Sequence, residues 1–334
     1  MSPLRALLNQ RQRVVLMGVL NRTPDSFSDG GRYVDDSAAG RRIDELCEEG
    51  ADIVDIGAES TRPGSEPVPP KEQIARLGSI VREASKRIPL VSIDTTSPDV
   101  AGWALDQGAS IVNSVSLDPA AELGALCAHY DAALVLMHCR GSMAAMPGYS
   151  QYDDAAYGDV VADVTREWSA AAQRALDAGL LPSELLFDPG LGFAKNARHS
   201  LELCARLDEL CNLGFPVLVG PSRKSFVARA AAPGGLGSKS PLAPPEDRLG
   251  GTIAAVLACI ERGASVVRVH DVRQVRQAIA VFEAIEGTDT GTGTDTGTDT
   301  GTDTGTDTGT DTGTDTDTDT DTDTDTPTEG RAHA

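Results

Sequence analysis

Eight times along this chain a short apolar run breaks off into a polar or glycine-containing loop, and a stretch with helical spacing separates nearly every pair of runs. The runs cover residues 14–20, 51–56, 90–93, 110–112, 133–137, 185–187, 216–219 and 265–269. Such runs read as strands buried on both faces, as in a parallel sheet covered by helices. The stretches between them, at 36–49, about 70–86, 98–107, 119–129, 153–178, 198–212, 246–262 and 272–285, carry the helical pattern; the first stops at Gly50, as a helix end should. Eight strands alternating with helices are the arithmetic of an α/β (β/α)8 TIM barrel, which needs roughly 250 residues. The barrel is expected over 13–286, with residues 1–12 as a lead-in.

The runs end on chemistry. Asn21, Asp94, Asn113, His138 and Asp188 follow directly, Arg62 and Lys224 sit in short loops rich in Gly, Pro and Ser, and the last run closes on Arg268, Val269, His270 and Asp271. In these barrels the active site is built on the carboxyl ends of several strands. Any one such residue is as well explained as a strand terminator. A whole set converging on one face points to a site.

Charge narrows the partners. The 334 residues hold 50 acidic and 29 basic side chains, a net charge of −21. From Thr288 the chain is Thr-Asp-Thr-Gly and then Thr-Asp repeats, with 13 acidic residues and one basic. Residues 1–287 therefore keep 37 acidic and 28 basic, so only −9 belongs to them. The tail, 287–334, has no core-forming residue and is expected to be disordered. An acidic body without a Lys/Arg block argues against nucleic acid or an anionic membrane as partner. No stretch is long and apolar enough to span a bilayer or serve as a signal peptide, so a cytoplasmic protein is expected. The six cysteines, 47, 127, 139, 204, 211 and 259, form no CxxC pair and read as reduced thiols.

The motifs VLMGVLNRTPDSFSDGG, GADIVDIGAESTRPGSEPV, SIDTTSP, LMHCRGSM, LFDPGLGFAK, GPSRKSF and RVHDV, in this order, resemble dihydropteroate synthase over residues 13–286. That family, the sulfonamide target, condenses 4-aminobenzoate with 6-hydroxymethyl-7,8-dihydropterin diphosphate, giving 7,8-dihydropteroate and diphosphate. The resemblance implies pterin ligands at Asp94, Asn113, Asp188 and Lys224, side chains suited to a ring edge that alternates donors and acceptors. It implies Mg2+ bound through Asn21, with Arg62, Arg268 and His270 around the leaving diphosphate. For aminobenzoate it implies walls from Phe27, Pro63 and Phe193, contacts from Thr61 and Ser222, and a carboxylate site at Ser225, where a helix should begin. Lys224, Arg268, His270 and Arg62 are the expected catalytic groups, no enzyme nucleophile is needed, and a homodimer is implied.

Three positions depart from the family pattern. Ser114 follows Asn113 where an Asp is usual, Ala194 stands in the loop after Asp188 where Gly is usual, and Pro221 precedes SRKS. Two alternatives share the barrel: a paralogue that binds pterin diphosphate without turnover, and a pterin-binding methyltransferase domain. The latter would not need the STRPG loop or SRKS.

Overall fold

The computed structural model describes residues 2–10, 13–22, 36–60, 64–146, 148 and 151–289. In chain order the elements are α1 (Pro3–Gln10), β1 (Val15–Asn21), α2 (Asp36–Glu48), β2 (Ile53–Gly57), α3 (Pro70–Leu77), α4 (Ile80–Ala84), β3 (Leu90–Asp94), α5 (Pro98–Asp106), β4 (Ile111–Ser114) and α6 (Ala120–His129). They continue with β5 (Ala133–Met137), α7 (Val160–Asp177), β6 (Leu185–Asp188), α8 (Ala197–Ala205), α9 (Leu207–Cys211), β7 (Leu218–Val219), α10 (Ser225–Ala231), α11 (Leu249–Glu261), β8 (Val266–Val269) and α12 (Val272–Asp289). Phe27, Thr61, Arg62, Pro63 and the repeats beyond residue 289 lie outside the described residues.

All neighbouring strands are parallel, in the order β6-β5-β4-β3-β2-β1-β8-β7. A parallel bridge between Phe187 and Val217 joins the two edges, with the Phe187 N–H donating to the Pro216 carbonyl at 2.9 Å, so the barrel is closed. Inward side chains, among them Val15, Met17, Ile53, Leu90, Ile111, Val135 and Leu218, form one apolar cluster; outward ones join a larger cluster with the helices. Being buried on both faces, each strand reads as an apolar run rather than an alternation. Trp168 of α7 shows how a helix is seated: its ring stacks on Phe187 with centroids 4.2 Å apart, and its indole N–H donates to the Leu136 carbonyl at 2.9 Å. Burying a side chain of this size contributes about 1.5–3 kcal/mol.

The structure divides three of the expected helices. The 70–86 stretch splits into α3 and α4 at Gly78, which takes φ +52°. The 153–178 stretch becomes a 3-10 turn and then α7, which starts afresh because the Asp159 carboxylate caps it by accepting from the Val161 and Ala162 N–H groups. Between α8 and α9 the chain leaves helical geometry at Arg206. The lead-in turns out to be helical too: α1 lies against the inner cluster through Leu4, and the Ser2 N–H donates to Glu184 at 3.1 Å.

Register sets the mouth. Asn21 pairs with Gly57, Gly57 with Asp94, and Asp94 with Asn113. Laterally paired residues of a parallel sheet project to the same face, so three polar side chains share one row and the glycine leaves a gap between them. A Cβ on Gly57 would stand 3.4 Å from the Asp94 Cβ and 3.6 Å from the Asn21 amide oxygen.

Candidate active site

A buried charge network joins that row to Asp55 in the layer below and forms the floor. Arg268 of β8 donates through Nε to Asp55 Oδ2 at 2.7 Å and through a terminal nitrogen to Asp94 Oδ2 at 3.0 Å. Asn113 Nδ2 donates to the same Asp55 oxygen at 3.1 Å. The other oxygens of both carboxylates, Asp55 Oδ1 and Asp94 Oδ1, are buried with no hydrogen-bond partner among the described residues. An orphaned buried acceptor costs about 1–3 kcal/mol, so these two atoms are where a ligand rich in N–H donors would be repaid. Burial and the neighbouring Asp55 charge push the Asp94 carboxyl up to about 7, against the pull of Arg268.

Asp188, at the end of β6, and Lys224, just before α10, face this floor from the opposite side. Asp188 Oδ1 accepts from the Gly190 N–H at 2.7 Å, and burial raises its carboxyl while Lys224 draws it down. Lys224 is half-buried; loss of water around it lowers its ammonium to about 8, with Asp188 acting in the opposite direction. Its Nζ donates to the Leu191 carbonyl at 2.6 Å and lies 4.4 Å from the centroid of the Phe193 ring. Asp94, Asn113, Asp188, Lys224 and Arg268 thus form one cluster, and Phe193 borders it.

A second group gathers where β7 and β8 end. Ser222 Oγ accepts from the His270 backbone N–H at 3.1 Å and is within hydrogen-bonding distance of His270 Nδ1, at 3.0 Å. Burial and the nearby Arg268 lower the ring to about 4, so His270 is a neutral donor at physiological pH. Arg223, at φ +59°, locks the two loops by a fork onto Asp271, with Nε 2.9 Å from Oδ2. Ser225 is the first residue of α10 and is buried beside Lys224.

The three departures are accommodated locally. Ser114 is fully buried and turns its hydroxyl onto its own loop, donating to the Ser116 carbonyl at 2.8 Å, so no charge is stranded there. Ala194 takes φ +48°, a conformation that favours glycine, and its carbonyl accepts from the Tyr157 hydroxyl at 3.0 Å. Pro221 opens a turn in which its carbonyl accepts from the Lys224 N–H at 3.2 Å.

Among the described residues no group of three or more His, Cys, Asp or Glu could hold a metal ion. Asn21 offers a single half-buried amide oxygen over the Gly57 gap. One hard oxygen fits magnesium only as a supplement to phosphate oxygens and water, which is how that ion is usually held at phosphate sites. The donor set therefore fits a substrate-borne magnesium.

Sequence reasoning missed Asp55, which anchors both Arg268 and Asn113. The available signal was an acid inside the apolar run Ile53-Val54-Asp55-Ile56, a position that has to find a buried cation. It also gave no role to His138 and Lys195, which turn away from the mouth onto each other.

Comparisons with known proteins agree with this geometry. The family model described as pterin binding enzyme matches residues 17–270. The dihydropteroate synthase of Mycobacterium leprae is 43% identical over 274 residues, covering 81% of this chain and 93% of that protein. That of Synechocystis is 39% identical over 285 residues, covering 84% and 93%. A solved structure of the Xanthomonas albilineans dihydropteroate synthase with 4-aminobenzoic acid superposes with a TM-score of 0.71 at 37% identity, covering 82% of this chain and 94% of that one.

Proposed function

This chain belongs to the dihydropteroate synthase family of pterin-binding enzymes, and from that premise we propose how its residues carry out the reaction. The enzyme condenses 4-aminobenzoate with 6-hydroxymethyl-7,8-dihydropterin diphosphate, forming 7,8-dihydropteroate and diphosphate for folate biosynthesis. The observation that carries the assignment is the pair of unsatisfied carboxylate oxygens on Asp55 and Asp94, framed by Asn113, Asp188 and Lys224. A pterin edge presents the N–H groups and acceptors that such a frame lacks.

In this reading Asp94, Asn113 and Asp188 hold the pterin edge and Lys224 supplies a donor beside it. Arg268, which is tied to Asp55 and Asp94, is assigned with His270 and Arg62 to the leaving diphosphate, as the family resemblance implies. The C–O bond to the methylene carbon breaks with its electron pair leaving on diphosphate, and the resulting cation is delocalised into the pterin. The aminobenzoate nitrogen then supplies the pair for the new C–N bond and loses a proton. No enzyme nucleophile takes part; rate comes from charge stabilisation and alignment. Phe193 walls the aminobenzoate ring, Ser222 adds a contact and the first N–H groups of α10 at Ser225 hold its carboxylate; the roles of Phe27, Pro63 and Thr61 rest on the family resemblance alone. Magnesium, when bound, would neutralise charge on the diphosphate, and Asn21 is the side chain that would hold it.

A homodimer is proposed through the face between α11 and α12, where Leu249, Ile253, Leu257 and Phe282 adjoin Val281 and Ile285, exposed by 56% and 60%. Contiguous apolar surface of this kind is what a second copy would cover. A cytoplasmic setting is supported by six free cysteines; no helix of the described residues is long and apolar enough to cross a membrane. Residues beyond α12 are assigned no part in the chemistry. Purified protein given both substrates and magnesium should release dihydropteroate and diphosphate in equal amounts. Diphosphate without dihydropteroate, or neither, would refute the assignment.

A further inference from the structure

Lys195 lies behind the site, on the loop between β6 and α8, fully buried and touching nothing that reacts. Burial lowers this group to about 7, and its protonated form has three protons for three acceptors: His138 Nδ1 at 3.0 Å, the His138 carbonyl at 3.2 Å and the Phe193 carbonyl at 3.0 Å. Because His138 accepts through Nδ1, its own proton sits on Nε2, which donates to Glu167 at 3.0 Å. Arg140 holds the same carboxylate at 2.9 Å and lies 3.9 Å over the Tyr157 ring, whose hydroxyl secures Ala194. The end of β5, helix α7 and the β6–α8 loop are thus tied together, with Lys195 at the centre.

A desolvated ammonium held by neutral acceptors is a costly way to join two loops. What it joins gives the reason. The loops are in such close contact that a Cβ on Gly190, at φ +67°, would fall 2.0 Å from the His138 carbonyl oxygen and 3.3 Å from Lys195 Nζ. The Phe193 N–H donates to the Gly190 carbonyl at 3.0 Å, and the Gly190 N–H in turn holds Asp188. The Phe193 ring rests against Lys224. Lys195 therefore touches Phe193 directly, reaches Lys224 through it, and reaches Asp188 through Phe193 and Gly190.

We propose that Lys195 is a positioning residue of the reaction: by clamping the Phe193 carbonyl to that of His138, it fixes the Phe193 ring against Lys224 and so sets the wall that 4-aminobenzoate meets. The inference rests on the assignment of Phe193 to that wall. A double-mutant cycle with Lys195→Met and Phe193→Ala tests it, read as KM for each substrate per active site. Lys195→Met should raise KM for aminobenzoate about tenfold and that for pterin diphosphate less than about threefold. In the Phe193→Ala background its added effect should fall below about twofold, since contacts that act as a unit are not additive. Lys195→Gln, which keeps amide donors, should recover part of the loss. Additive effects, equal changes for both substrates, or loss of folding by circular dichroism in both Lys195 variants would overturn the proposal and leave Lys195 a core residue only. Failure of the underlying reading shows separately, as wild-type protein without product or Phe193→Ala without effect on the aminobenzoate KM, and either result overturns the inference as well.

Discussion

Asp55 gives the most searching test of the floor, because two of its neighbours depend on a single oxygen. Changing Asp55 to Ala leaves Arg268 Nε and Asn113 Nδ2 without the acceptor they now share at 2.7 and 3.1 Å. Breaking a buried ion pair by removing one partner costs about 3–5 kcal/mol. Arg268 keeps Asp94 at 3.0 Å and is 22% exposed, so the loss should sit near the lower bound. At roughly 2–4 °C per kcal/mol for a domain of this class, about 3 kcal/mol lowers Tm by roughly 6–12 °C. Asp55→Asn keeps an acceptor and removes only the charge, so its cost should be about 1–2 kcal/mol. The second readout is Asp94. The Asp55 charge is the largest influence after burial in holding that carboxyl up near 7, so in both variants the acid limb of pterin-diphosphate binding should move to lower pH. Scanning calorimetry and titration calorimetry across pH measure the two effects. If Asp55→Ala melts within a degree of wild type, or the acid limb stays in place, Asp55 does not anchor the floor.

Wild-type protein should bind pterin diphosphate best between pH about 7 and about 8, because Asp94 must be ionised to accept and Lys224 protonated to donate, and each is displaced toward neutrality by burial; a flat profile from pH 6 to 9 would contradict this. The sign for stability runs the other way: between its usual 3.8 and about 7 the folded Asp94 holds its proton more tightly than the unfolded chain does, so stability should fall as pH rises through that window, and Asp94→Asn should flatten the slope. Ala194→Gly should change stability by less than about 0.5 kcal/mol, since relief of a positive φ is offset by the lost buried methyl and the freer unfolded chain; a Tm shift above about 2 °C would show that the backbone is set by something else. Asn21→Ala should weaken magnesium-dependent diphosphate binding about tenfold while aminobenzoate binding is kept, and equal losses would mean that the loop had collapsed.

The fold was legible because the strands are buried on both faces, and Asp94, Asn113 and Asp188 could be found because each follows the last apolar residue of its run. Asp55 could not be found so. It lies mid-strand, and its partner Arg268 is 213 residues away in the chain, joined only when β1 places β2 and β8 on its two sides. Lys195 was hidden for a related reason, since a lysine in a Gly-rich loop reads as solvated until the loop is seen to fold it against His138. Helix breaks at Gly78 and Asp159 were masked by periodicity that continues across them, because cap chemistry and not hydrophobic spacing decides where a helix restarts. An eight-residue segment such as α1 is too short to be stable alone, and its helix depends on docking against the barrel.

The central claim is that the Asp94 and Lys224 side chains hold the pterin through its reaction. Lys224→Ala and Asp94→Ala proteins, checked for native circular dichroism, should be compared with wild type for dihydropteroate formation at saturating magnesium. Each lost contact to the reacting ring should lower kcat/KM by at least about a hundredfold, about 2.7 kcal/mol, with pterin-diphosphate affinity falling in parallel. Folded variants that turn over within a few-fold of wild type would place the pterin elsewhere.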